Sequence, residues 1–287
     1  MRLVAILSVV VLALGAPAES RQSKDKNNQA FARDGVMWAL SWDAATQEAV
    51  GRNVPIHVAY HSDAQQCADT AEEFIKPQYI QQSRNWVNVI VCKDTGHGEE
   101  EVQVSKDEKV KRCKRYWGIA CETHVKAAEC IGKISKETNF TIPLSWYLDT
   151  TGREIGKKGG AVLSGSEIGK GMEKAMAVCT GDRISYPEWM GYMKARKDVK
   201  EGIEKGEWKR AMTGCNILRK AKTKLLEAEG KEAMNKLSEK GDELLKEAQD
   251  LVATDKEKAK KMLTMLSNDF KPLMCSGRAA DMLKSLK

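Results

Sequence analysis

Sulfur and imidazole are the side chains through which this chain could do chemistry. Eight cysteines (Cys67, Cys92, Cys113, Cys121, Cys130, Cys179, Cys215 and Cys275) and four histidines (His57, His61, His97 and His124) are spread through its 287 residues. No two cysteines stand in a Cys-x-x-Cys pair, so neither a compact dithiol nor a Cys-x-x-Cys-His haem attachment is written in the sequence. Cys113, Cys121 and Cys130 crowd one stretch, with His124 three residues after Cys121. Zinc favours four nitrogen or sulfur ligands with short loops inside each pair. The gaps between these cysteines fit that poorly, so no metal is expected and a disulfide among Cys113, Cys121 and Cys130 is. Cys121 and Cys130 can bridge only if the chain bends back between them, because in an unbroken helix they lie about 13 Å apart along the axis. His57 and His61 are four apart on a β-rich run and share one face. Copper or zinc held with His97 is conceivable there, but one packed and one solvent-facing imidazole is the plainer expectation. Gly159-Gly160 lacks the Walker pattern, and no nucleophile elbow accompanies the histidines. No cofactor is expected.

These residues need elements to hold them. Ser41 can cap a short helix over Asp43 to Val50, with Gly51 past its end. Val54 to Tyr60 and Trp86 to Val91 read as buried strands, with a helix over Ala64 to Ile75 between them that Pro77 ends. His97 to Glu101 reads as a loop, Val104 to Trp117 as a charged helix and Cys121 to Ile134 as a further helix. Leu144 to Leu148 is a strand, Asp149 to Gly152 a turn, and Arg153 to Gly156 the start of the return strand. Ser164 to Val178 is helical. From Tyr186 onward the apolar residues recur at helical spacing, which predicts helices near 188–204, 207–228, 231–253, 255–268 and 276–286.

Several features occur in an order that resembles an exported bacterial thioredoxin-like domain over residues 38–178. They are Trp38, Val54-Pro55-Ile56 entering a strand, Cys67 after it, Phe74 seven residues on, Trp86-Val87, Asp94, Ile142-Pro143, Leu148-Asp149 and Gly152. The resemblance implies a central mixed sheet flanked by helices, and a cis Pro143 facing the redox site. It makes Cys67 and Pro143 the site residues. The first cysteine of the family's motif is Ala64 here, in Ala64-Gln65-Gln66-Cys67, and the insert 95–140 is longer than a compact member needs. Disulfide exchange begins with attack by a thiolate and ends when a second thiol resolves the mixed disulfide. Alanine supplies no nucleophile, so a self-contained dithiol cycle at 64–67 is excluded. Gly206-Glu-Trp-Lys-Arg-Ala211 and Thr254-Asp-Lys-Glu-Lys-Ala259 fill similar turn-to-helix positions, which resembles a tetratricopeptide-like repeat. A plain all-α bundle is the equal alternative.

The organisation follows. Arg2, the apolar run Leu3 to Leu14 and Ala16-Pro17-Ala18 read as a signal peptide over residues 1–18, a run too short to span about 30 Å of hydrocarbon. Residues 19–34 read as a flexible polar leader, 35–181 as the thioredoxin-like domain and 182–287 as the helical domain. The charge supports that last boundary: residues 1–182 hold 23 Lys+Arg against 23 Asp+Glu, so the formal +7 belongs wholly to the rest. An excess spread over helices is a solvated face, and no nucleic acid or membrane span is expected. The expected function is an exported, periplasmic or extracellular, non-catalytic module that binds a polypeptide partner. The alternatives are a thiol-disulfide oxidoreductase or isomerase pairing Cys67 with a cysteine outside the motif, and a structural assembly protein acting through its helical domain. The Met-rich helical face, Met190 to Met282, reads as core filler. Asn139-Phe-Thr141 matches a glycosylation acceptor.

Overall fold

The computed structural model describes residues 35–105, 108–137 and 139–286. The expected signal peptide and leader lie outside the described residues. The first region runs α1 (Trp42–Arg52), β1 (Ile56–His61), α2 (Gln65–Phe74), α3 (Pro77–Ser83), β2 (Val87–Cys92), β3 (Glu99–Ser105), β4 (Glu108–Cys113), α4 (Cys121–Lys126), a 3-10 turn (Ala127–Cys130), α5 (Ile131–Ile134), β5 (Leu144–Leu148), β6 (Glu154–Gly159) and α6 (Gly165–Val178). The second region is helical: α7 (Tyr186–Lys205), α8 (Trp208–Arg219), α9 (Lys224–Leu251), α10 (Lys256–Asp269) and α11 (Met274–Ser285). No helix among the described residues is long and apolar enough to cross a membrane.

The main sheet has the order β2-β1-β5-β6, with β1 and β2 parallel and β5 antiparallel to both β1 and β6. Both faces of its centre are covered, so β1, β2 and β5 read as nearly continuous apolar runs. Period-two alternation divides them between two cores. Ile56, Val58, Val87, Val89, Val91 and Trp146 face α1 and the 127–134 segment, while Ala59, Ile90, Cys92 and Tyr147 face α2, α3 and α6. The Asp149–Gly152 turn closes the β5–β6 hairpin, with Gly152 at φ 88°. Ser164 and Glu167 form a reciprocal capping box that starts α6, as Ser185 and Glu188 do for α7.

Three expectations are corrected. Residues 104–117 are not a helix: β3 and β4 pair as a separate antiparallel hairpin through Glu99↔Cys113 and Val102↔Val110. Its charged residues run consecutively, as in Glu99-Glu100-Glu101 and Lys111-Arg112, and so fall on both faces of a two-stranded ribbon instead of following a helical stripe. The break in the second region falls at 220–223 instead of near Gly230. Gly230 lies inside α9, where a Cβ would stand 2.4 Å from the Arg219 amide nitrogen, so this glycine lets two helices touch. Gly51 behaves likewise. It lies within α1, a Cβ on it would meet the Trp189 ring at 2.4 Å, and Asn53 (φ 55°) terminates the helix.

Arg52 joins the two regions. Its side chain is buried, with Nη1 2.6 Å from Glu48 Oε1 and Nε 3.3 Å from the Ile184 carbonyl. Further N–H groups donate to the Arg84 and Trp86 carbonyls, and Tyr186 lies under the guanidinium at 5.5 Å. The Arg52 carbonyl accepts from the Ile184 amide at 2.9 Å.

Candidate functional site

The C-terminal end of β1 and the N-terminal end of β5, the two central strands, meet at one end of the sheet, through Tyr60↔Leu144. Ser62–Cys67 leaves from the first and Pro143 enters the second, so the sequence-derived site residues share that end. Ile142–Pro143 is a cis peptide bond. Ala64 is the residue before the first turn of α2 and offers no side-chain cap. Cys67, one turn inside, is fully buried; its Sγ accepts the Ser62 amide at 3.3 Å and lies 3.8 Å from Ser62 Oγ. The position that would need an exposed nucleophile holds a methyl group, and the thiol behind it is sealed. Beside α2 an open cleft of about 290 Å³ is lined by the apolar Ala68, Ile75 and Trp117, by His97, and by the charged Glu72, Lys114 and Arg115.

His57 and His61 do share a face, but both are buried, which corrects the expectation that one meets solvent. The helices packed over that sheet face leave no open side. His57 is held between Ser145 Oγ (3.0 Å from Nε2) and Tyr79 OH (3.2 Å from Nδ1). His61 stacks on Phe74 with ring centroids 5.6 Å apart, and its ring nitrogens have no hydrogen-bond partner. Burial lowers the pKa of each to about 3, so both imidazoles are neutral.

The insert gathers the remaining imidazoles. Pairing of Glu99 with Cys113 brings the segment before β3 against the end of β4, and Lys114 donates its amide to Gly98 at 3.1 Å. The chain then turns through Trp117 (φ 36°) and Gly118 (φ 96°), with the Cys113 amide on the Ile119 carbonyl at 2.7 Å, and enters α4 at Cys121. His124 follows on the same face of α4, one turn on. One ligand-type atom from each of His97, Cys113, Cys121 and His124 lies within 4.8 Å of the other three. His124 Nδ1 donates to the Cys92 carbonyl at 2.7 Å, leaving Nε2 buried and without a partner. His97 Nε2 lies 2.8 Å from Asp63 Oδ1, and its Nδ1 is 3.5 Å from Cys113 Sγ. Arg115 Nη1 in turn lies 3.3 Å from the same Asp63 oxygen. Burial, with the Cys113 thiol beside it, pushes the Cys121 thiol up to about 12. Burial also lowers the His97 and His124 pKa values.

Of the three cysteines expected to pair in the insert, Cys113 and Cys121 are brought together and Cys130 is not. Cys130 packs on the opposite face of the sheet, among Ala45, Val58 and Trp146. All eight cysteines are free thiols. Asp63, Cys92 and His97 form a second, overlapping group of ligand-type atoms. Sequence groups His97 with His57 and His61, but the fold sets it beside Cys113, Cys121 and His124. The signal for its real company was Cys121-x-x-His124, a one-turn pair. No family model, curated protein or solved structure matches this chain.

Proposed function

We propose that the first region is a thioredoxin-like module that binds a polypeptide without exchanging disulfides, in an exported protein whose helical region supports it. The strand order β2-β1-β5-β6, the parallel β1–β2 pair and the cis Pro143 at the head of β5 favour that fold assignment. The observation that carries the functional reading is Ala64 at the start of α2 with Cys67 wholly buried behind it. Thiol exchange needs an accessible thiolate, and burial in apolar surroundings makes a thiol inert. The cleft beside α2, lined by apolar residues and by charges of both signs, has the chemistry to hold an extended peptide.

The test has two arms. Insulin-disulfide reduction by the purified chain should equal the buffer background, and Cys67→Ser should not change it; activity that vanishes in Cys67→Ser would overturn the reading in favour of an oxidoreductase. Peptides selected for binding from a random display library should lose at least fivefold in affinity on Ile75→Glu and be unaffected by Met274→Glu, on the exposed helical surface. The reverse pattern would assign binding to the helical region.

A further inference from the structure

We propose that His97, Cys113, Cys121 and His124 bind one zinc ion in a closed, tetrahedral, structural site that holds the insert together. The donor set has two thiols and two imidazoles from three separate pieces of chain: the segment before β3, the end of β4 and the first turn of α4. That composition selects zinc over magnesium or calcium, which take oxygen ligands. Bond lengths of about 2.0–2.3 Å in a tetrahedron separate neighbouring ligand atoms by roughly 3.3–3.8 Å. The His97 Nδ1 to Cys113 Sγ distance of 3.5 Å is already in that range, and because every other pair lies within 4.8 Å, a contraction of at most about 1 Å brings the rest into it.

Two further observations point to a ligand instead of to packing. His124 Nε2 is a buried nitrogen with no hydrogen-bond partner, on a ring whose tautomer is fixed by Nδ1–H donating to the Cys92 carbonyl. A buried polar atom left unpaired is costly, and a metal removes that cost. His97 is oriented the same way by a carboxylate: Nε2–H donates to Asp63, which turns the Nδ1 lone pair toward Cys113. Metal-bound histidines commonly give their second N–H to a backbone carbonyl or a carboxylate, and here the two rings use one of each. Tyr116 packs edge-on to both rings, with centroids 5.3 Å from His97 and 5.2 Å from His124, and helps exclude water. Four protein ligands leave no open position, so the site is structural. His97 also lines the cleft beside α2, but the zinc assignment does not rest on the polypeptide-binding reading, and retained metal is measured without any peptide.

The experiment is metal analysis of the full-length chain, with cobalt as a spectroscopic reporter. Protein refolded with zinc alone and freed of excess metal should retain about one equivalent. Cobalt substitution should give tetrahedral d–d bands and a thiolate-to-cobalt charge-transfer band. Cys121→Ser and His124→Gln should each cut retained metal at least tenfold, whereas Cys130→Ser, which removes an equally buried thiol nearby, should leave it unchanged. Asp63→Asn keeps all four ligands and should weaken zinc affinity about 10- to 100-fold, a readout that does not depend on a ligand variant folding. The proposal is overturned if the wild-type chain retains no zinc and shows no cobalt–thiolate band. A Cys113–Cys121 disulfide found by mass spectrometry in zinc-free protein that cobalt cannot enter after reduction would overturn it equally.

Discussion

The sheet region and the helical region solve the problem of a unique interior differently. The sheet region buries Arg52, His57, His61, Thr70, Ser83, Asn88, His124 and Ser145, and most of these find named partners. The helical region has Ser276 as its buried polar residue, and its cysteines, Cys215 and Cys275, serve as small apolar filler. Its precision comes from close approach. Gly202, Gly214, Gly230 and Gly241 each sit where a Cβ would fall within 2.4–2.7 Å of a neighbouring atom. The sheet region has such contacts too, Gly51 on Trp189 and Gly171 on Tyr147, but adds to them a set of paired buried polar groups that the helical region has only in Ser276, so the two should fail under different insults.

The largest contrast should come from Trp146→Ala. It empties the space of a fully buried ring on β5 and should cost about 3–5 kcal/mol. Hydrogen exchange should show protection lost in β1, β2 and β5 while α9 and α10 keep theirs; equal loss in both regions would erase the distinction.

Acid comes next. His57 and His61 titrate at about 3 in the folded chain, below the ordinary 6.5. Between those values the unfolded chain binds protons that the native one refuses, so stability falls as pH drops below 6.5. At pH 5.5 the two together cost about 3 kcal/mol relative to pH 8. Denaturant melts from pH 8 to pH 5 should show this loss in sheet-region probes, and His57→Gln should recover about 1.4 kcal/mol of it at pH 5.5.

Gly230→Ala reverses the comparison. It forces a methyl group onto the Arg219 backbone and should destabilise the helical region by about 1–3 kcal/mol, measured by the midpoint of chemical unfolding. Gly132→Ala, which meets nothing within 4 Å, is the matched control and should be near neutral.

The smallest effects should be alike in the two regions. Ser164→Ala and Ser185→Ala each remove one capping box and should cost about 1 kcal/mol. Glu167 is held at about 2 by Lys158 and the Ser164 cap, and Glu188 at about 2 by Lys222 and the Ser185 cap. Their contribution is complete above pH 4.5 and is lost as pH falls toward 2. Glu167→Gln and Glu188→Gln should flatten that part of an acid titration.

Strands β1, β2 and β5 were legible because buried strands are short apolar runs between turn residues, and Ser164 announced α6. The insert was opaque for a physical reason. Glu99 to Cys113 carries so many charges that its period-two pattern is hidden, and an antiparallel ribbon joins positions 97 and 113 that no local spacing rule relates. Glycine misled in the helices. A residue without Cβ marks a stop when it caps a helix and a crossing when it faces another, and Gly206 (φ 71°) and Gly230 read identically in sequence. At the candidate site, Cys67 and the cis Pro143 were readable from order along the chain, whereas the partnership of His97 with Cys113 exists only once the ribbon has closed.

The single guanidinium of Arg52 spends its donors on the Glu48 carboxylate, on the loop before β2 and on the carbonyl of Ile184, the first segment of the helical arm. Swinging that arm away would strip the Ile184 carbonyl and the Tyr186 ring from the guanidinium and break the bond from the Ile184 amide to the Arg52 carbonyl, leaving Glu48 and the loop before β2 to hold the cation. The arm is therefore clamped at its root, and whatever bending it allows must arise farther out, between one helix and the next.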